Sequence, residues 1–191
     1  YNLKSEAQGA TKPSNIDTAP TQFNVTDVVR LNKDKETVKN AIMQYGSVTS
    51  GYAHYSTYFN KDETAYNCTN KRAPLNHSVA IVGWDDNYSK DNFASDVKPE
   101  SNGAWLVKSS WGEFNSMKGF FWISYEDKTL LTDTDNYAMK SVSKPDSDKK
   151  MYQLEYAGLS KIMSNKVTAA NVFDFSRDSE KLDSVMFETD S

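Results

Sequence analysis

One stretch of this chain repeats its apolar residues with a helical period: Val38, Ala41, Ile42 and Tyr45 fall at i, i+3, i+4 and i+7, the spacing that lines one face of an α-helix. Asn32 or Asp34 can cap its start, and Gly46 sits where a left-handed residue closes a helix. Such a face is that of a helix laid over a sheet. Beyond Gly46 the chain is strand-like. Ser47–Ser56, Val79–Val82, Ala104–Lys108 and Gly119–Tyr125 are runs rich in β-branched and aromatic residues, and Val79–Val82 is expected to be buried on both faces. Polar loops at Thr57–Leu75 and Asn87–Gly103, and a turn at Trp111–Lys118, part them. One helix followed by several strands predicts an α+β, mainly β fold and excludes an alternating βαβ enzyme.

Two segments lack any sustained period. Residues 1–22 carry Gly9, Pro13 and Pro20 among small polar residues and read as loop ending in a short strand. From Asp133 the composition turns to Asp, Ser, Lys and Thr, with Pro145 as an interruption, which predicts a linker over 141–150. The expected organisation is a first domain over 1–140, that linker, and the start of a second, β-rich domain over 151–191. Its strand-like pieces are Met151–Tyr156, Val167–Phe175 and Leu182–Thr189. About 40 residues is at the lower edge of what folds without disulfides or metal. The second domain is therefore expected to be incomplete, and a start at Tyr1 without a Met suggests a piece of a longer protein.

Composition narrows the chemistry. The 191 residues are 38% hydrophobic and 13% aromatic, enough for a true core. With 22 basic against 26 acidic residues the net charge is −4, and no Lys/Arg run is dense enough to follow a phosphate backbone, so nucleic acid is not an expected partner. No apolar run approaches the ~20 residues of a membrane helix. A single cysteine, Cys68, excludes an internal disulfide and a cysteine-based zinc cluster. The imidazoles are His54 and His77. His54 is expected to pack or face solvent on its strand. His77 sits at the mouth of the Val79–Val82 strand, where a ring can be exposed while its backbone is fixed, as a general base requires.

The segments around His77 carry more than one signal. His77-Ser78-Val79-Ala80-Ile81-Val82-Gly83-Trp84 is followed by Trp105-Leu106-Val107-Lys108-Ser109-Ser110-Trp111-Gly112 and then by Gly119-Phe120-Phe121-Trp122-Ile123. In this order and spacing they resemble the C-terminal half of papain-like cysteine peptidases. In that family a histidine opens an H-x-V-x-x-V-G-[YW] strand, and W-x-x-K-N-S-W-G and G-[YF]-x-x-[IV] strands follow. The helix ending at Gly46 and the strand Ser47-Val48-Thr49-Ser50 fit as well, with Ser47 in place of a proline. The resemblance spans Gln22–Tyr125, about half of the chain. It implies the right-hand, β-barrel-like domain of the papain fold.

The resemblance also assigns roles. It makes His77 the general base and puts Ser109 where the family has an asparagine that orients the imidazole. A serine hydroxyl is shorter by an amide group, which predicts contact with the ring through a water or none. Trp111 would shield the orienting hydrogen bond from water. Gly51 and Ser78 would form the wall of the S2 subsite, and Asn76, just before the base, and Trp111 are expected with them as substrate-binding residues. No cofactor or metal is called for. The nucleophile is missing: the family's cysteine begins a long helix more than about 100 residues before the histidine, whereas Cys68 shortly precedes His77 in a polar loop with no helix behind it. The oxyanion glutamine belongs to the same absent half.

The implied function is therefore a cysteine-type endopeptidase acting on polypeptide, with this chain supplying the histidine and requiring a cysteine-bearing domain as partner. The competing reading is a catalytically inactive papain-fold module for surface binding or adhesion. Met151-Tyr152-Gln153 and Ala169–Phe173 are similar to the start of the lectin-like domain of some bacterial surface cysteine proteases. That likeness implies an extracellular or cell-surface protein, with a surface glycan or protein as a further partner.

Overall fold

Asp34 accepts a hydrogen bond from the Thr37 N–H at 2.9 Å, and helix α1 runs from there over Lys35–Tyr45. Gly46, at φ 89°, ends it by returning its N–H to the Ile42 carbonyl. The structure, a computed structural model, describes residues 22–132 and 136–145, together with Lys181. The expected pieces over 1–21 and 151–191 therefore lie outside the described residues, and the first unit of the chain ends at Lys144.

Among the described residues seven strands build one sheet: β1 (Asn24–Arg30), β2 (Val48–Tyr52), β3 (Ala65–Tyr66), β4 (His77–Asp85), β5 (Ala104–Lys108), β6 (Phe120–Ser124) and β7 (Tyr137–Ser143). Their lateral order is β1-β7-β2-β4-β5-β6-β3. Neighbours are antiparallel except β3 against β6. Among the described residues a mainly β sheet with one α-helix agrees with the sequence reading, but that sheet does not close into a barrel. The sheet is open, with β1 and β3 at its two ends.

Helix α1 lies against β2, β4 and β7 and buries Val38, Ala41 and Ile42 there. Val48, Ile81, Val107, Phe121 and Ile123 meet them as the core, with Tyr52 and Tyr66 fully buried beside it. Strand β4 alternates: Val79 and Ile81 are buried, Ala80 and Val82 half-buried. Burial on both faces was the wrong expectation, because an antiparallel sheet needs cover on only one side.

Two polar segments carry structure that their composition hid. The Thr57–Leu75 loop contains β3 and sends Phe59, Tyr66, Asn67 and Cys68 into the interior. Strand β7 continues through Ser143, into the expected linker, and pairs with β1 from Arg30↔Tyr137 to Asn24↔Ser143. Met139 to Ser143 are exposed, so this ribbon is held by its backbone ladder rather than by apolar burial, and it leaves no periodic signature.

Candidate active site

His77 enters β4 as the partner of Tyr52 in β2. The residue before it extends that pairing by side chain: Asn76 Oδ1 accepts the His54 N–H at 2.7 Å, and its Nδ2 donates to the His54 carbonyl at 3.2 Å. Asn76 thus spends both ends of its amide on fixing the backbone beside the histidine. His77 is 8% exposed, and burial lowers its pKa below the ordinary 6.5 because a desolvated imidazolium is disfavoured.

Strand β5 delivers the second group. Ser109 follows its last residue, anchored by its N–H to the Gly119 carbonyl at 3.0 Å. Its Oγ lies 3.1 Å from His77 Nε2 and accepts the Trp111 N–H at 3.2 Å. The contact is direct. The expectation of a water-bridged or absent contact fails because the chain turns at Ser109–Trp111 and carries the short side chain up to the ring. With one lone pair taken by Trp111, the hydroxyl can take the Nε2 proton on the other. That arrangement leaves Nδ1 as the basic nitrogen.

Trp111 covers this pair. Its indole stacks on the His77 ring at 4.2 Å between centroids and 28° between planes, and the shielded hydrogen bond gains strength from the low local dielectric. Beside that stack the indole also meets His54, edge-on at 4.4 Å and 78°. His54, read from sequence as packing or facing solvent, is half-buried in this cluster. No sequence signal separates it from a surface histidine, because its placement depends on Trp111, far along the chain.

Gly51 and Ser78 are direct register partners of β2 and β4. Ser78 is exposed and Gly51 half-exposed, on the sheet face opposite the buried His77 side chain. A Cβ on Gly51 would touch Leu75 Cδ1 at 3.4 Å, so Leu75, missed within a loop, belongs to the same surface. Cys68 is elsewhere in character: its Sγ is buried and directed to the Asn70 carbonyl at 3.6 Å, and burial pushes the thiol pKa up. A nucleophilic thiol needs the reverse shift. Among the described residues no group of three or more His, Cys, Asp or Glu side chains is placed to hold a metal ion, and no helix is long and apolar enough to cross a membrane.

Comparison with known proteins gives this geometry a setting. The family profile described as "Papain family cysteine protease" matches residues 1–142. A crystal structure of the cysteine protease and lectin-like domains of Cwp84, described as a surface layer associated protein of Clostridium difficile, is 99% identical. It superposes with a TM-score of 0.73 over 83% of this chain and 35% of that one. A solved Cys-to-Ala form of the clostridial cysteine protease Cwp84 after propeptide cleavage is also 99% identical, with a TM-score of 0.73 over 93% of this chain and 44% of that one. Testin-2 of Rattus norvegicus is 36% identical over 99 residues, covering 51% of this chain and 27% of the relative. The chain thus spans about a quarter of that curated relative and less than half of either solved structure.

Proposed function

Because the chain belongs to the papain family of cysteine proteases, we propose that it supplies the base and its orienting group to a cysteine peptidase whose nucleophile lies in a part of the protein outside these 191 residues. The observation that carries this reading is the His77 Nε2 to Ser109 Oγ hydrogen bond at 3.1 Å under the Trp111 indole.

In the proposed reaction, Nδ1 of His77 takes the proton of the cysteine thiol, and the thiolate attacks the carbonyl carbon of the scissile peptide. The imidazolium then gives that proton to the leaving amine, and the acyl-enzyme forms. Water activated by His77 hydrolyses the acyl-enzyme and restores the thiol. Ser109 holds the Nε2 proton throughout. Charge on the thiolate offsets the burial that disfavours the imidazolium, since an opposite charge close to the ring favours its protonated form. The nucleophile and the oxyanion donors are contributions of the cysteine-bearing domain, the partner this chain requires.

We assign Gly51 and Ser78, with Leu75, to the S2 wall, where small side chains leave a roomy subsite, and Asn76 and Trp111 to the frame around the base. Residues 151–191, after a linker that follows β7, are assigned to the start of a β-rich, lectin-like domain that binds surface glycan or protein. Cwp84 is a surface layer associated protein with a lectin-like domain, which supports an exported, cell-surface setting here. The direct Ser109 contact weighs against the inactive binding module, since an abandoned site has no need of an aligned base.

The test is labelling of the full-length protein with an epoxide thiol inhibitor. Wild type should be labelled at one cysteine other than Cys68, and His77→Ala should be labelled far more slowly. Equal labelling of the two would remove His77 from the reaction.

A further inference from the structure

We propose that His54 is a positioning residue for His77: hydrogen-bonded through Nδ1 to the Tyr52 hydroxyl, it braces the Trp111 indole edge-on and so holds that indole over the His77–Ser109 hydrogen bond. The proposal deepens the peptidase reading and rests on it for its kinetic consequence.

The need for such a brace comes from Ser109. A planar amide contacts an imidazole in a fixed plane, whereas a hydroxyl pivots about its Cα–Cβ bond and fixes one distance only. The plane of the His77 ring is then set by its walls. Trp111 stacks on it, and Tyr52 tilts against it at 5.7 Å between centroids. Trp111 is the wall that can move, being half-buried on a turn with Gly112 beside it at φ 77°. His54 abuts the indole beside that stack and blocks its sideways slide, the three rings closing a triangle of 4.2, 4.4 and 5.8 Å between centroids.

His54 is itself held on three sides. Asn76 grips its backbone N–H and carbonyl, Tyr66 stacks parallel to its ring at 3°, and Tyr52 bonds its Nδ1. Burial pushes the hydroxyls of Tyr52 and Tyr66 far up, so Tyr52 keeps its proton and can donate it to Nδ1. Among the described residues, Tyr52 and His54 are the titratable rings in contact with His77, and Tyr66 lies behind them against both. Asp127 bears on both tyrosines electrostatically. The same residue that precedes the base in sequence, Asn76, therefore ties the brace to the base.

The experiment measures kcat and KM on the full-length enzyme and follows the His77 ring nitrogens by NMR titration in its nucleophile-to-alanine form, where no thiolate charge acts on the ring. In His54→Ala the loosened indole admits water, so the His77 midpoint rises toward 6.5 and kcat falls about tenfold with KM little changed, the scale expected for a misplaced catalytic group. His54→Phe keeps the aromatic edge and should recover most of both. Tyr52→Phe, which removes only the hydroxyl, should shift both in the same direction by less, and it carries the test if His54→Ala does not fold. An unmoved His77 midpoint in His54→Ala, or in Tyr52→Phe where the alanine variant fails, overturns the proposal. So does a His54→Phe variant as impaired as His54→Ala. Absence of peptidase activity in wild type with the midpoint still shifted would instead remove the peptidase reading and leave the brace standing.

Discussion

Nε2 of His77 and Oγ of Ser109, 32 positions apart in the chain, meet at 3.1 Å because β4 and β5 are neighbours and run in opposite directions. The start of one strand therefore lies beside the end of the next. Ser109→Ala leaves both the Nε2 proton and the Trp111 N–H without this acceptor. A hydrogen bond to a charged group contributes about 1.5–3 kcal/mol, so kcat of the full-length enzyme is expected to fall roughly ten- to hundredfold with KM nearly unchanged. A fall confined to KM would mean that Ser109 contacts substrate rather than the base.

Burial of His77 makes stability depend on pH. Its folded pKa is below 6.5, so between that value and 6.5 the unfolded chain binds a proton that the folded ring refuses. The contribution is fully present above pH 6.5 and is lost as pH falls through the folded pKa. Urea unfolding of the nucleophile-to-alanine full-length protein should show a steeper loss below pH 6.5 in an otherwise wild-type chain than in His77→Gln. Parallel profiles would place the ring in solvent.

Two glycines with positive φ should respond differently to alanine. Gly46, at φ 89°, has open space around an added Cβ, so Gly46→Ala costs about 1–2 kcal/mol for the left-handed backbone alone. At Gly119, φ 81°, the new Cβ would fall 1.9 Å from the Gly112 carbonyl oxygen, next to Trp111. Denaturant unfolding should find Gly119→Ala the more destabilised, and the shift of Gly112 should appear in Trp111 fluorescence. Equal costs would show that the Gly112 turn yields freely.

Cys68 should be silent until the fold opens. Its buried Sγ and raised pKa leave little thiolate, and its N–H is held at 2.6 Å by Asp127, whose other oxygen accepts from Thr129 and Leu130. Iodoacetamide labelling read by mass spectrometry should be at least about a hundredfold slower in native protein than in urea. Asp127→Asn, which disturbs this hub, should speed it. Rapid native labelling would expose the segment.

Much of the site was legible because it is local. His77 and its strand, and Ser109 with Trp111, sit in contiguous motifs, and α1 has its period, its Asp34 cap and Gly46 in plain view. The features that stayed hidden depend on partners distant in the chain. β1 and β7 show no alternation, since Val25, Val28, Met139 and Val142 are exposed on a two-stranded ribbon, and β3 is two residues held by β6. The reach of Ser109 was misjudged from side-chain length, because the backbone turn that brings the hydroxyl to the ring has no sequence signature. His54 became part of the site only through Trp111.

Asn24 stands opposite Ser143, so the polypeptide enters and leaves the described body at one flank, while the histidine rides on the middle strand of seven. The body is in that sense a cassette. A circular permutant that joins the two ends through a short turn, and reopens the chain at the exposed Ser95–Asp96, would alter connectivity without cutting a strand that aligns the base. Lengthening either terminal connection likewise acts far from the register that brings His77 to Ser109.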